Sequence, residues 1–359
     1  MTKTVLVLGG YGTCGRRIAE ILNHDPEIEC LIGGRDVRRG QIAAAALGVP
    51  FLAVDTQRVG SLNAALDGVF AVVNTCGPFR VHDYAVAERC ARRGVYYVDM
   101  AEERPYILGI QDLAPRALES GVTLVSGAGS ALAFSSMLVD TIMDAFDTVE
   151  HIDIAVLSGN RNPRGLASVR SLLQAQGEQV RVCEHEQWRD VPNFSRGRAV
   201  RLPAPFGRRR LYITDAPETD ILGKRYGASV TYRTGLELPL LNRGHAWLGA
   251  LSRLGVIGDL TRLAGMLHML QTGLRGFGQA AFGITIVIKG QRKGQPVVRK
   301  AGLMAREDGL SVSCIPAIAL VRKWVTAGGT PGAFPCDGLL MLQDIAQELR
   351  MRHVVLQLS

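Results

Sequence analysis

The sequence predicts an α/β protein in which an N-terminal doubly wound parallel sheet is followed by a second α+β domain on a mixed sheet. Three observations carry this. Short aliphatic runs alternate with helical stretches over the first third of the chain, a glycine-rich turn follows the first of them, and beyond about residue 126 the strands become longer and more widely spaced. A chain of 359 residues also exceeds the size at which one core usually stops growing, so two domains are expected.

Residues 4–8 are β-branched and aliphatic, 9–15 form the glycine-rich turn, and 16–23 carry Ile18, Ile21 and Leu22 at helical spacing. Strands are then expected at 29–32, 51–54, 69–74, 96–99 and 122–125, with helices at 38–47, 59–66, 84–93 and 107–120 between them. Segments 150–157, 229–233, 283–289 and 297–305 read as strands of the second domain. The stretch 181–225, rich in proline and arginine, reads as loop and lid, and 338–350 as an amphipathic helix. The expected domains are 1–126, joined by a returning segment at about 333–359, and 127–332.

Gly10, Gly12 and Gly15 have G-x-G-x-x-G spacing between a strand and a helix, the fingerprint of a Rossmann-type dinucleotide site. The first glycine permits the tight turn, the second admits the pyrophosphate to the backbone, and the third lets helix and strand pack closely. Tyr11, Thr13 and Cys14 complete the turn and are expected cofactor contacts with its glycines. An NAD site usually places an acid about twenty residues further on, to bind the ribose 2′-hydroxyl. Here that place holds Gly34 and Arg35, with Arg38 and Arg39 close behind. A carboxylate repels a 2′-phosphate, whereas arginine forms charge-assisted bonds to it, so the expected cofactor is NADP(H).

The fourth strand runs into Val72-Val73-Asn74-Thr75-Cys76-Gly77-Pro78-Phe79, and after a helix the chain continues Gly94-Val95-Tyr96-Tyr97-Val98-Asp99. Together with Ser126-Gly127-Ala128-Gly129-Ser130, the Pro163-Arg164-Gly165 turn and the tail at 332–349, this resembles the saccharopine dehydrogenase-like (saccharopine reductase-type) family over most of the chain. The resemblance implies a Gly-Pro-aromatic turn closing over the cofactor and a Tyr-x-Asp-like strand end facing the active-site cleft. It also implies NADP-binding and substrate domains around that cleft, with the C-terminal helix returning to the first. The residues that saccharopine-handling members use to hold amino-acid carboxylates have no clear counterpart here.

Loops at the C-terminal ends of parallel strands border the ligand crevice, and this nominates further residues. Asn74, Gly77 and Pro78 are expected at the ribose or nicotinamide end of the cofactor, or as an ordinary strand-ending turn. Asp55 could accept from the adenine amino group or cap locally. Asp99, Glu102 and Glu103 could balance a cationic substrate, relay a proton, or cap the next helix. Tyr97 and His82 are candidate proton donors, although strand alternation directs Tyr97 into the core. Ser126, Ser130 and Arg164 are candidate substrate contacts, and Cys14 and Cys76 small polarisable neighbours of the cofactor.

The net charge of +8 and pI near 9.3 arise from small arginine clusters separated by acids, which is no continuous nucleic-acid stripe. Seven cysteines, an odd number without a C-x-x-C pair or a Cys/His cluster at ligand spacing, fit a reducing cytoplasm better than a disulfide framework or a metal site. The first eight residues run straight into a strand, leaving no room for a signal peptide. The uncharged run 121–139 is broken by serines and glycines and reads as buried strand, loop and helix start rather than a transmembrane segment. Residues 246–277 are apolar but interrupted by Arg253, Asp259, Arg262, His268 and Arg275, which suggests amphipathic helices packed on the protein's own sheet or a second subunit of a homodimer, with a membrane surface as the alternative.

No nucleophile elbow, phosphate-binding P-loop or Tyr-x-x-x-Lys pair is present. The expected function is an NADPH-dependent oxidoreductase reducing an imine, or another polarised double bond, of a small organic substrate. Hydride delivery to a C=N bond needs an electrophile already activated by protonation, so the protein supplies mainly orientation and charge balance. The alternative is a catalytically silent NADPH-binding protein that senses redox state or acts through partners or a membrane.

Overall fold

The computed structural model describes residues 2–79, 83–129, 131–184 and 187–359. The chain divides into two compact units, one of residues 1–133 and 313–340, the other of 134–312 and 341–359. In the first, β1 (Lys3–Leu8), β2 (Ile28–Gly34), β3 (Phe51–Ala53), β4 (Ala71–Asn74), β5 (Tyr96–Asp99) and β6 (Thr123–Ser126) pair in parallel. Their order, β3-β2-β1-β4-β5-β6, reverses direction between β1 and β4 and so opens a crevice at the end of β1. Val5 to Leu8 are fully buried, which is why β1 reads as an unbroken aliphatic run rather than an alternating one. The expected helix at 107–120 is two short helices, Arg104–Gly109 and Ala114–Glu119, joined by a 3-10 turn. Pro105 and Pro115 each sit in a first turn, the place where a missing amide proton costs nothing.

The second unit contains β7 (Thr148–Ser158), β8 (Gln179–Glu184), β9 (Gln187–Pro192), β10 (Ser195–Arg201), β11 (Arg208–Ile213), β12 (Ser229–Thr234), β13 (Phe282–Arg292) and β14 (Gln295–Ala305). Two strands follow, β15 (Gly332–Pro335) in the first unit and β16 (Val355–Leu358) in the second. The sheet runs β10-β11-β12-β7-β13-β14-β16, with β7 and β12 parallel and the other pairs antiparallel, the mixed sheet expected. Along β13 the fully buried Ile284, Ile286 and Ile288 alternate with Thr285, Val287 and Lys289.

Two expectations are corrected. The stretch 181–225 is not loop and lid: β8 and β9 form a hairpin, β10 and β11 join the sheet, and the helix Glu218–Tyr226 follows. Arginines that suggested loop occupy exposed strand positions, while Val180, Val182, Val191 and Ile213 form a small core on the other side. The helix at the tail forms at Leu342–Met351, but it belongs to the second unit together with β16, which pairs with β14. The return to the first unit is made instead by 313–340, through most of the unanticipated helix Gly309–Ala327 and through β15, which adds to β6 as a seventh parallel strand.

By length and composition that helix could cross a membrane, yet 61% of its apolar window is buried. In the first unit Trp324 stacks on Tyr96 with ring centroids 5.2 Å apart, and Arg322 pairs with Asp25 at 3.0 Å. Trp324→Ala is expected to destabilise the protein by about 3–5 kcal/mol, read as a lower urea midpoint by circular dichroism. A loss below about 1 kcal/mol would show that this segment does not hold the first unit's core.

Candidate active site

The turn after β1 is closed by Gly12 N donating to Gly9 O at 2.7 Å. Gly12 is the N-cap of the helix Thr13–Leu22, in extended conformation and with no side chain capping the first turn. The first-turn amides, which have no intrahelical acceptor, and the positive helix end are thus available to an anion. A Cβ at Gly10 would fall 2.4 Å from Ile32 Cβ, and one at Gly15 2.4 Å from Gly9 O, so both positions are packed shut. A Cβ at Gly12 would meet nothing but Gly9 O within 4 Å, at 3.0 Å, and would stand where a pyrophosphate has to approach. The residues present fit a dinucleotide.

Tyr11 crosses the end of β2. A Cβ at Gly34 would lie 2.3 Å from its ring, its hydroxyl accepts from Asp36 N at 3.1 Å, and the Arg39 guanidinium stands 5.4 Å from its ring centroid. Arg35, Arg38 and Arg39 are exposed. Asp36, which sequence reasoning passed over, accepts from Arg39 N at 3.0 Å and caps the helix Val37–Leu47; an aspartate just before a helical run carries that signal. Asp55 takes the local alternative: its Oδ1 accepts from Gln57 N at 3.1 Å, while its amide donates to Ser61 Oγ at 3.0 Å.

Behind the crevice lies a hydrogen-bonded network closed to water. Asp99 is fully buried; its Oδ1 accepts from Ala101 N (3.0 Å), Gly127 N (2.9 Å) and Ser126 Oγ (3.0 Å), and its Oδ2 from Tyr97 OH (3.1 Å). Tyr97 OH accepts in turn from Asn74 Nδ2 at 3.1 Å, and Asn74 Oδ1 accepts from Cys76 N at 3.0 Å. Burial pushes the Asp99 carboxyl up to about 6 against the pull of its four hydrogen bonds. Burial and the Asp99 charge push the Tyr97 phenol well above its ordinary range, which makes it a poor acid. Asp99, Tyr97 and Ser126 are therefore placed inside the protein, not on the crevice surface where catalytic and substrate-contacting groups are expected. Sequence reasoning also missed the aromatic cluster beside them, Phe79, Tyr84 and Tyr106, whose rings pack at 5.3 and 4.6 Å.

Among the carboxylates after β5, Glu102 is exposed, and its charge acts on the Cys14 thiol of the glycine turn. Glu103 is half-buried at the N-cap of the helix Arg104–Gly109, with no side-chain cap bond. Cys14 lies below the usual thiol range because the Cys314 thiol hydrogen-bonds to it, outweighing burial and the Glu102 charge, which raise it. Cys314 was invisible to sequence reasoning: it stands 300 positions away and sits in the unforeseen helix. Cys76, Gly77 and Pro78 are exposed on the turn after β4, and the Gly77–Pro78 peptide is cis. Arg164 belongs to the second unit, where its Nη2 donates to Ser158 O at 3.3 Å. Ser130 and His82 lie outside the described residues.

A seven-stranded parallel sheet with a bare glycine turn at its switch point defines a Rossmann-type dinucleotide-binding unit. Residues 5–125 match the family model described as the saccharopine dehydrogenase NADP binding domain, in keeping with the bare glycine turn at the end of β1. No curated protein sequence matches the chain. Among solved structures it is similar to apo saccharopine dehydrogenase (L-Glu forming) from Saccharomyces cerevisiae, at 14% identity over 99% of this chain and 100% of that one, with a TM-score of 0.68. It is also similar to the homospermidine synthase of Legionella pneumophila in complex with NAD (11%, 100% and 91%, TM-score 0.66). The DAP dehydrogenase of C. glutamicum in complex with DAP is a third (13%, 98% and 99%, TM-score 0.50). At these identities the likeness is one of fold.

The buried carboxylate predicts a pH dependence. With its pKa raised from 3.8 to about 6 on folding, Asp99 contributes stability that is fully present below about pH 4 and lost as the pH rises through 6. Two pKa units correspond to about 3 kcal/mol. Relative to Asp99→Asn, the wild type should therefore gain about that much on going from pH 7 to pH 4, measured by urea unfolding across the range. A difference that does not change with pH would mean that Asp99 ionises normally.

Proposed function

We propose that the protein is an NADPH-dependent oxidoreductase that reduces an imine, or another polarised double bond, of a small organic substrate. The observation that carries this reading is an uncapped glycine turn at the end of β1, with exposed arginines following β2 on one side and the exposed Glu102 beside Cys14 of the turn on the other. The amides of Thr13, Cys14 and Gly15 hold the pyrophosphate, with Gly10 and Gly12 shaping its seat. Arg35 and Arg39, set against Tyr11, hold the 2′-phosphate. The turn from Asn74 through Gly77 and Pro78 covers the nicotinamide ribose with its backbone, since the Asn74 side chain is committed inward. Bound NADPH supplies a hydride for the carbon of the double bond.

Glu102 is the residue that faces the substrate: its carboxylate balances the charge of an iminium and orients its N–H. Asp99 and Tyr97 position that loop, and Ser126 serves Asp99 rather than the substrate. Arg164 and Ser130 are proposed on the substrate side. A homodimer in the cytoplasm is part of the same reading; the outer edge of β16, exposed along its whole length, offers a second copy a strand to pair with.

NADPH consumption across a panel of cyclic imines, enones and aldehydes tests the function, and binding without turnover on every member would sink it. Arg35→Glu is expected to raise the KM for NADPH roughly hundredfold while leaving that for NADH unchanged or lower. An unaltered NADPH preference would remove Arg35 from the site. Glu102→Gln should lower kcat on the order of 100-fold on an imine without changing NADPH affinity. Full activity in that variant would assign the charge balance elsewhere.

A further inference from the structure

The second unit carries a surface that its own fold does not use. The helix Pro239–Arg253 turns polar groups inward: Asn242 and His245 are buried, and Asn242 Nδ2 donates to Arg210 O at 2.7 Å. Outward it presents Leu240, Trp247 and, at its C-cap, Leu254, which are 80%, 71% and 76% exposed. A spacing of seven residues is two turns, so the three lie on one face, with Arg243 between the first two. The helix Ala264–Gly273 does the same with Met266, Met269 and Leu270, and Phe277 follows four residues beyond its end. Leu248 on the first helix and Leu267 on the second pack on one small core of Val169, Leu173, Leu260 and Ala264, so both stripes belong to walls of the same cluster.

Both helices expose large apolar side chains beyond those they give to this core, and the first also buries Asn242 and His245, so neither outer stripe is accounted for by packing within the unit. The charge says what covers them. Residues 239–277 carry Arg243, Arg253, Arg262 and Arg275 against one acid, Asp259, a local balance of +3. A second copy seated symmetrically on this face would set that excess against itself, whereas anionic lipid headgroups would neutralise it. Trp247 and Phe277, with aliphatic and methionine neighbours and exposed arginines alongside, are the side chains that settle at the boundary between headgroups and acyl chains. The stripe from Leu240 to Leu254 is about 21 Å long at a helical rise of 1.5 Å per residue, too short to span a bilayer but suited to lying along it.

We infer that the helices Pro239–Arg253 and Ala264–Gly273 dock the protein on an anionic bilayer, with Trp247, Leu254 and Met269 entering the interface and Arg243 and Arg262 meeting lipid phosphates. The docking does not rest on the reduction proposed above and is tested without it. The full chain is sedimented with vesicles of phosphatidylglycerol and phosphatidylcholine, and with vesicles of phosphatidylcholine alone, while tryptophan emission is followed.

The expected result is binding to the anionic vesicles with a blue shift in emission, weakened by salt and weaker or absent on phosphatidylcholine. The Trp247→Glu/Met269→Glu double variant should lose binding and the blue shift. Arg243→Glu/Arg262→Glu should weaken binding roughly tenfold or more. Thermal melting and NADPH affinity should stay those of the wild type in both. Failure to bind anionic vesicles, or undiminished binding by both double variants, would overturn the inference. So would a solution dimer that the Trp247→Glu/Met269→Glu substitutions dissociate, which would give the stripe to a second copy.

Discussion

A single carboxylate, withdrawn from water, ties together the strand ends on which the crevice of the first unit depends. Burying an ionisable carboxyl is costly unless donors replace its hydration, and Asp99 meets that requirement with two backbone amides, a serine hydroxyl and a phenol. Those donors come from both sides of it: Ala101 from its own loop, Ser126 and Gly127 from the end of β6, and Tyr97 with a link onward to Asn74 at the end of β4. Three adjacent strands thereby end in one bonded cluster. The order extends a strand further, because Ser126 O accepts from Cys336 N just beyond β15.

This arrangement divides labour between polar groups of similar appearance. Asp99 and Glu102 are three residues apart, yet one is sealed and the other stands in solvent beside the glycine turn. Glu102, proposed above to face the substrate, leaves a loop whose preceding residues are anchored at Asp99 and Ala101, and a side chain with that task works best when its backbone is held by groups that meet no ligand. The same division appears at the other end of the crevice, where Asp36 is spent on capping a helix and leaves the arginines around it to face outward.

The parts legible in the sequence are those whose meaning is local. Gly10, Gly12 and Gly15 announce the turn because strand, turn and helix are contiguous, and the place of Arg35 directly after β2 follows from its distance along the chain. The exposed state of Glu102 and the sealed state of Asp99 were not legible, because a carboxylate after a strand looks the same whether its donors are water or Gly127 and Ser126. The strands at 179–213 were obscured by arginines whose stems lie along exposed positions while valines alternate beneath them. Of segment 313–340 only the part from about 333 was expected to return, and 313–332 was missed for another reason: nothing in its own residues says that the partners Tyr96, Asp25 and β6 lie two to three hundred positions earlier.

That segment has a consequence for how the molecule comes into being. The first unit breaks off at residue 133 and finishes its sheet only with 313–340, after every strand of the second unit except β16 has been specified. During synthesis β6 therefore waits as an open parallel edge, and Tyr96 without its stacking partner, until residues 313–340 have left the ribosome. The completed unit is a late assembly of distant pieces, with a long loop to close before its final strand repays the entropy.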